Sequence, residues 1–123
     1  MRSKSSGSVK VYYPKQNRDE LIALLKERAR ALNSRLRLNR VVLFGSYAKK
    51  RQTAASDIDL LVVYEGQGSD AYTLCWDAFS LQQLELHLYP LSDYEEMLKS
   101  GNLLLRDAER DGVLIFPDSI SRL

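Results

Sequence analysis

The sequence predicts an α+β domain of α/β-like character, a small mixed β-sheet flanked by helices. Three observations predict it. Segments of helical and strand periodicity follow one another as helix, strand, strand, helix, strand, helix, helix, strand. The connections between them are short and polar, with no internal repeat and no linker. The 123 residues suit a single core. The expected organisation is a disordered tail over residues 1–8, basic and serine-rich, followed by one domain over residues 9–123.

Asn17 with Glu20 forms a capping-box pattern that opens the first helix, which runs to about Asn33. Leu21, Leu25, Ala29, Leu32 and Leu36 recur at helical spacing. Arg40 to Phe44 reads as a short buried strand, broken by Gly45-Ser46. Tyr47 to Lys50 suits one helical turn, and Gln52 to Ser56 a polar loop. Ile58 to Tyr64 is the second strand. Ser69 or Asp70 caps the next helix, with Ala71, Leu74, Cys75, Ala78 and Phe79 on one face.

Gln83 to Tyr89 alternates. Leu84, Leu86 and Leu88 share one side, and Glu85, His87 and Tyr89 the other. Pro90 ends that strand. Ser92 and Glu95 suggest a capping box for a helix to about Lys99. A last helix spans Asn102 to Asp111 and stops at Gly112, and Val113 to Phe116 is the last strand.

Composition excludes more than it assigns. Apolar residues at 45% and charged residues at 28% are ordinary for a globular domain. A net charge of +2 is too small to argue for nucleic-acid binding. The basic group Arg35, Arg37 and Arg40 reads as a solvated face. Cys75 is the only cysteine and His87 the only histidine, which leaves no disulfide and no closed structural zinc site. The single cysteine fits a reducing compartment, and a cytoplasmic location is expected. No apolar run approaches the ~20 residues that span a bilayer.

The chemistry concentrates in Gly45-Ser46 and in Asp57-Ile58-Asp59-Leu60, ten residues further on. Strand periodicity puts Asp57 and Asp59 on one face. Two adjacent carboxylates repel each other unless a cation lies between them, and hard divalent cations take such oxygen ligands together with phosphates. The simplest alternative is a solvated turn at Ser56-Asp57. Gly45-Ser46, after a buried strand, presents N–H groups and a hydroxyl suited to phosphate; its alternative is an ordinary turn. If the Gln83–Tyr89 strand neighbours the Asp-bearing strand, Glu85 joins the pair. Three carboxylates can hold two metals ~3.5–4 Å apart for in-line displacement at phosphorus. The alternative is a solvated edge position. His87 shares the Glu85 face as a possible general base, although a lone histidine on such a strand is more often a surface residue. Trp76 suggests packing or a partner contact, Cys75 inert core, and Tyr12-Tyr13 a core edge or a dimer contact.

Leu43-Phe44-Gly45-Ser46-Tyr47-Ala48, the ten-residue gap and Asp57-Ile58-Asp59-Leu60-Leu61-Val62-Val63 resemble the signature of the minimal nucleotidyltransferases of the DNA polymerase β-like superfamily. The resemblance extends from the first helix to Gly112-Val113-Leu114-Ile115-Phe116. It implies the nucleotidyltransferase fold and a metal-dependent transfer of a nucleotide, AMP from ATP, to an acceptor. It implies Gly45 and Ser46 at the triphosphate, with Lys49 supplying a cation nearby. Asp57, Asp59 and Glu85 would be the catalytic metal ligands, holding two Mg²⁺, with Mn²⁺ as an alternative. The family more often has aspartate at the Glu85 position. It commonly has arginine, then Ala-Arg-Gly, where this chain has Tyr47-Ala48-Lys49-Lys50. Many minimal members resemble the antitoxin half of a toxin-antitoxin system and transfer AMP to a tyrosine of a helical HEPN-domain partner. The apolar and aromatic surface offered by the Cys75-Trp76 helix and the segment from Asn102 leads us to expect a complex, either a homodimer or one with a HEPN-type partner. The alternative from another class is a catalytically inactive module of the same fold that neutralises or scaffolds a partner by contact.

Overall fold

The computed structural model describes residues 18–51, 56–66 and 70–117. The expected 1–8 tail, the Asn17 cap, Tyr12-Tyr13, Ser69 and most of the Gln52–Ser56 loop lie outside them. Eight elements follow in the expected order: α1 (Arg18–Asn33), β1 (Leu38–Phe44), β2 (Ile58–Tyr64), α2 (Ala71–Phe79), β3 (Leu84–Pro90), α3 (Leu91–Lys99), α4 (Leu103–Asp111) and β4 (Val113–Phe116). Among the described residues, no helix is long and apolar enough to cross a membrane.

The four strands form one mixed sheet in the order β3-β2-β1-β4. β1 runs antiparallel to both β2 and β4, and β2 runs parallel to β3. A parallel pair needs a crossover, and α2 lies in it. Helices pack on both faces. α1 and α2 cover Val41, Leu43, Ile58, Leu60 and Val62, while α3 and α4 cover Val42, Phe44, Leu61 and Val63. With both faces covered, the central strands read as continuous apolar runs.

The helical stripe Leu21, Leu25, Ala29, Leu32 is buried, as its spacing predicts. Arg28 Nη1 donates to the carbonyl of Phe79 at the end of α2, so one side chain ties the two helices of this face together. Asn33 Oδ1 accepts from the Leu38 amide at 2.9 Å and closes the connection into β1.

Local structure departs from the sequence reading in several places. β1 starts two residues earlier than expected, because an irregularity between Leu38 and Arg40 interrupts the alternation that marks a strand. Arg40 is not on a solvated face. It pairs with Glu109 at 2.8 Å and lies over the Tyr94 ring at 5.5 Å, while the Tyr94 hydroxyl donates to Glu109. α3 begins at Leu91 directly after Pro90, so Ser92 lies inside the helix and is not its cap. Asp70 occupies the N-cap of α2 without a side-chain hydrogen bond. Asn102 does cap α4, its Oδ1 accepting from the Leu105 amide at 3.1 Å. Gly112 ends α4 with extended backbone, not left-handed. It is small for want of room, since a Cβ there would stand 2.3 Å from the Ala108 carbonyl oxygen and 2.4 Å from Val42 Cγ1.

Candidate active site

The end of β1, the start of β2 and the start of β3 converge on the α3/α4 side of the sheet. Asp59 lies opposite Phe44 in the antiparallel pair and opposite Glu85 in the parallel pair. Odd positions of β2 and β3 point to this side, so Asp59, Glu85 and His87 share it. Asp57 stands one residue ahead of β2 and is exposed. It is therefore outside the regular strand expected to align it with Asp59, yet close enough for its charge to act on Asp59.

The Asp59 carboxyl is pushed up to about 6. Burial is the first cause, followed by the charges of Glu85 and Asp57 and a hydrogen bond with Glu85. A partly buried acid with two more exposed acids gathered against it resists being ionised together with them. That is the electrostatic condition a bound cation relieves.

Gly45 closes the other side. Its φ is +78°, a conformation that side-chain-bearing residues rarely adopt, and a Cβ there would lie 2.3 Å from Asp59 Oδ2. The glycine thus serves both the turn and the close approach of backbone to carboxylate. Residues 45–50 form hydrogen-bonded turns and not a regular helix. The Lys49 amide donates to the Gly45 carbonyl at 3.1 Å, and the Arg51 amide to the Ser46 carbonyl at 2.8 Å. Ser46 is half-buried within this turn.

Two further contacts hold the turn. Tyr47 is fully buried, and burial pushes its hydroxyl up from the ordinary tyrosine range. Arg18, at the start of α1, donates to the Tyr47 carbonyl at 2.6 Å and to that of Ala48 at 3.4 Å. Sequence reasoning missed Arg18, because nothing local in the chain connects residue 18 with residue 47. Lys49 points across to α4, 3.5 Å from Asp107, in a partly exposed ion pair of the kind that contributes little.

His87 is the other residue that sequence reasoning undervalued. Its side chain is only 19% exposed, so it is not a surface residue. Its ring lies 5.2 Å from that of Phe44. Nε2 is 3.8 Å from Glu85 Oε2 and 4.0 Å from Asp59 Oδ1. One donor atom from each of Asp59, Glu85 and His87 falls within 4.8 Å of the others. The available signal was the alternation that put His87 on the Glu85 face.

Beside the carboxylates a cleft of about 630 Å³ opens between Gly45 and α4, lined by Phe44, Leu103, Leu104, Arg106, Asp107 and Arg110. It offers apolar wall and two guanidinium groups next to the glycine turn.

Comparison with known proteins follows the same geography. A model described as a nucleotidyltransferase domain matches residues 22–114. A candidate protein adenylyltransferase from Methanocaldococcus jannaschii is 36% identical over 45 residues, which is 37% of this chain and 46% of that protein. The match thus spans about half the length of that relative. A crystal structure from Sulfolobus solfataricus, titled as that of a candidate nucleotidyltransferase, superposes with a TM-score of 0.51 over 88% of this chain and 90% of that one, at 21% identity. That likeness is one of fold. The family match covers well over half of the sequence and takes in the glycine turn, Asp57, Asp59 and Glu85, and on that ground the chain belongs to the nucleotidyltransferase domain family.

Proposed function

We propose that the chain transfers AMP from ATP to an acceptor hydroxyl on a protein, the hydroxyl oxygen bonding to the α-phosphorus as the bond to the β-phosphate breaks and pyrophosphate leaves. One observation carries this reading most: Asp59 and Glu85 stand side by side on adjacent parallel strands, against the left-handed turn at Gly45. The family is that of nucleotidyltransferase domains, the fold neighbour is titled a candidate nucleotidyltransferase, and the relative from Methanocaldococcus jannaschii bears the name of a candidate protein adenylyltransferase.

The donor set fits divalent metal. Asp59 and Glu85 offer carboxylate oxygens, Asp57 adds a third nearby, and the buried Nε2 of His87 has no hydrogen-bond partner among the described residues. Bound divalent cations, two Mg²⁺ or alternatively Mn²⁺, would supply charge stabilisation for the attacking and leaving oxygens of an in-line displacement. The chain's own residues do the rest. Backbone N–H groups of the Gly45-Ser46 turn and the Ser46 hydroxyl receive the triphosphate. Lys49 swings from its weak pair with Asp107 to add positive charge. Glu85, the more exposed carboxylate, takes the proton of the acceptor hydroxyl. The cleft beside Gly45 seats substrate next to the reacting centre.

The acceptor we propose is a tyrosine of a helical HEPN-type partner, with the chain acting as its antitoxin. Incubation with α-labelled ATP, divalent metal and a HEPN-type protein tests it. Label should move to that protein with the wild-type chain and fail to move with Asp59→Asn. A second reading is an inactive module that neutralises its partner by contact. Tyr47 favours it: where the signature this chain resembles commonly has an arginine, the tyrosine here is fully committed to the core. A tight complex in which no label moves would select that reading.

A further inference from the structure

We infer that His87 is a direct metal ligand, and that its nitrogen turns the carboxylate site toward Mn²⁺, Co²⁺ or Zn²⁺ at the expense of Mg²⁺. The inference rests on the metal-binding reading of Asp59 and Glu85 and specifies which metal that site takes.

The placement comes from strand register. Asp59 pairs with Glu85 and Leu61 with His87 along β2 and β3, so His87 lies one same-face step beyond Glu85. Its Nε2 is buried and lacks a hydrogen-bond partner among the described residues. A buried ring nitrogen without a partner costs free energy, and native structures seldom leave one so. The nearest acceptors, at 3.8 and 4.0 Å, are beyond hydrogen-bonding distance. Those separations suit a shared ion better than a direct bond. Ligand bonds of ~2.0–2.2 Å put neighbouring donors ~3.0–3.5 Å apart, so Nε2 needs to close on either carboxylate by at most ~1 Å. The ring cannot easily turn away, because Phe44, buried in the core, lies against it at 5.2 Å.

The chemistry of the donor sets the choice of ion. Mg²⁺ takes oxygen ligands in near-ideal octahedral geometry and gains little from an imidazole. Mn²⁺, Co²⁺ and Zn²⁺ accept mixed nitrogen and oxygen donors, and their affinity for such sites rises along that series to cobalt and remains high for zinc.

His87 is the only histidine of the chain, so a tag-free protein gives an unambiguous signal. The metal-stripped chain is loaded with Mn²⁺ alone, without nucleotide, whose base nitrogens would contribute. Pulsed electron paramagnetic resonance should show coupling to an imidazole nitrogen-14. In parallel, calorimetric titration compares Mn²⁺, Co²⁺ and Mg²⁺ on the wild type, His87→Gln and Asp59→Asn. We expect His87→Gln to lose the nitrogen coupling and at least about tenfold in Mn²⁺ and Co²⁺ affinity, with Mg²⁺ affinity nearly unchanged. Mn²⁺ that binds the wild type and is lost with Asp59→Asn, but shows no imidazole coupling, overturns the His87 assignment and leaves the carboxylate site standing. No binding of any of the three ions by the wild type overturns the carboxylate reading itself, and this inference with it. The spectrum of the wild type decides the ligand even if His87→Gln folds poorly.

Discussion

The two faces of the sheet are built to different rules. On the α1/α2 face, Leu21, Leu25 and Ala29 meet Val41, Leu43, Leu60, Val62, Cys75 and Phe79, all fully buried and apolar. On the α3/α4 face the apolar cluster is smaller, and it is flanked by two polar groups. One is Arg40-Glu109-Tyr94, which locks α4 to β1 and α3. The other is Asp59-Glu85-His87, at the end where α4 leaves a cleft. The first face carries stability. The second gives up packing to hold acids close together, and its polar groups are costly in the absence of a ligand. This division lets one strand serve both ends: in β2, Leu60 and Val62 anchor the core while Asp59 faces the site.

The largest effect should separate the faces outright. Phe79→Ala removes a fully buried ring from the closed face and should lower stability by about 3–5 kcal/mol by denaturant titration. Asp59→Asn should leave the metal-free fold as stable or more stable, while nucleotide transfer falls by several powers of ten, since metal-site charge stabilisation is worth several kcal/mol. If Asp59→Asn unfolds the protein as Phe79→Ala does, the two-face distinction fails.

Acid titration sharpens the contrast next. The Asp59 carboxyl sits at about 6 in the folded chain against an ordinary value of 3.8, so folding is favoured when it is protonated. Its contribution is complete below about pH 4 and is lost as pH rises through about 6. The metal-free protein should therefore lose up to about 3 kcal/mol across that window, measured by denaturant titration at fixed salt. Asp59→Asn should flatten the trend. A loss equally large in the variant would place its origin elsewhere.

Gly45→Ala should cost about 1–2 kcal/mol, because the residue has φ +78° and its Cβ would press on Asp59 Oδ2. The accompanying shift of Asp59 should also weaken Mn²⁺ binding, which calorimetry reads directly. Unchanged binding would show that the turn and the carboxylate move independently.

The smallest effect concerns Cys75 on the closed face. Burial pushes its thiol up to about 12, so a thiol-specific reagent should leave it unmodified at pH 8 under native conditions and react after denaturation. Rapid native labelling would mean that the α1/α2 face opens more readily than its packing implies.

The sequence by itself determined the element order, the helical stripe of α1, the alternation of β3 and the Gly45-Ser46 and Asp57-Ile58-Asp59 pieces. Those are local properties: period, turn chemistry and burial of one face can be read within a dozen residues. Only the tertiary structure decided what stands next to what. Alternation gives Glu85 a side of its own strand, but the parallel pairing of β3 with β2 is what sets it beside Asp59. The same pairing, with Phe44 behind it, turns His87 from a half-exposed strand residue into a buried donor. Arg18 at the Tyr47 turn, Arg40 on Glu109 and Lys49 on Asp107 join residues between 29 and 69 positions apart. No local pattern encodes such pairs, because they arise from the free energy of covering both faces of one sheet.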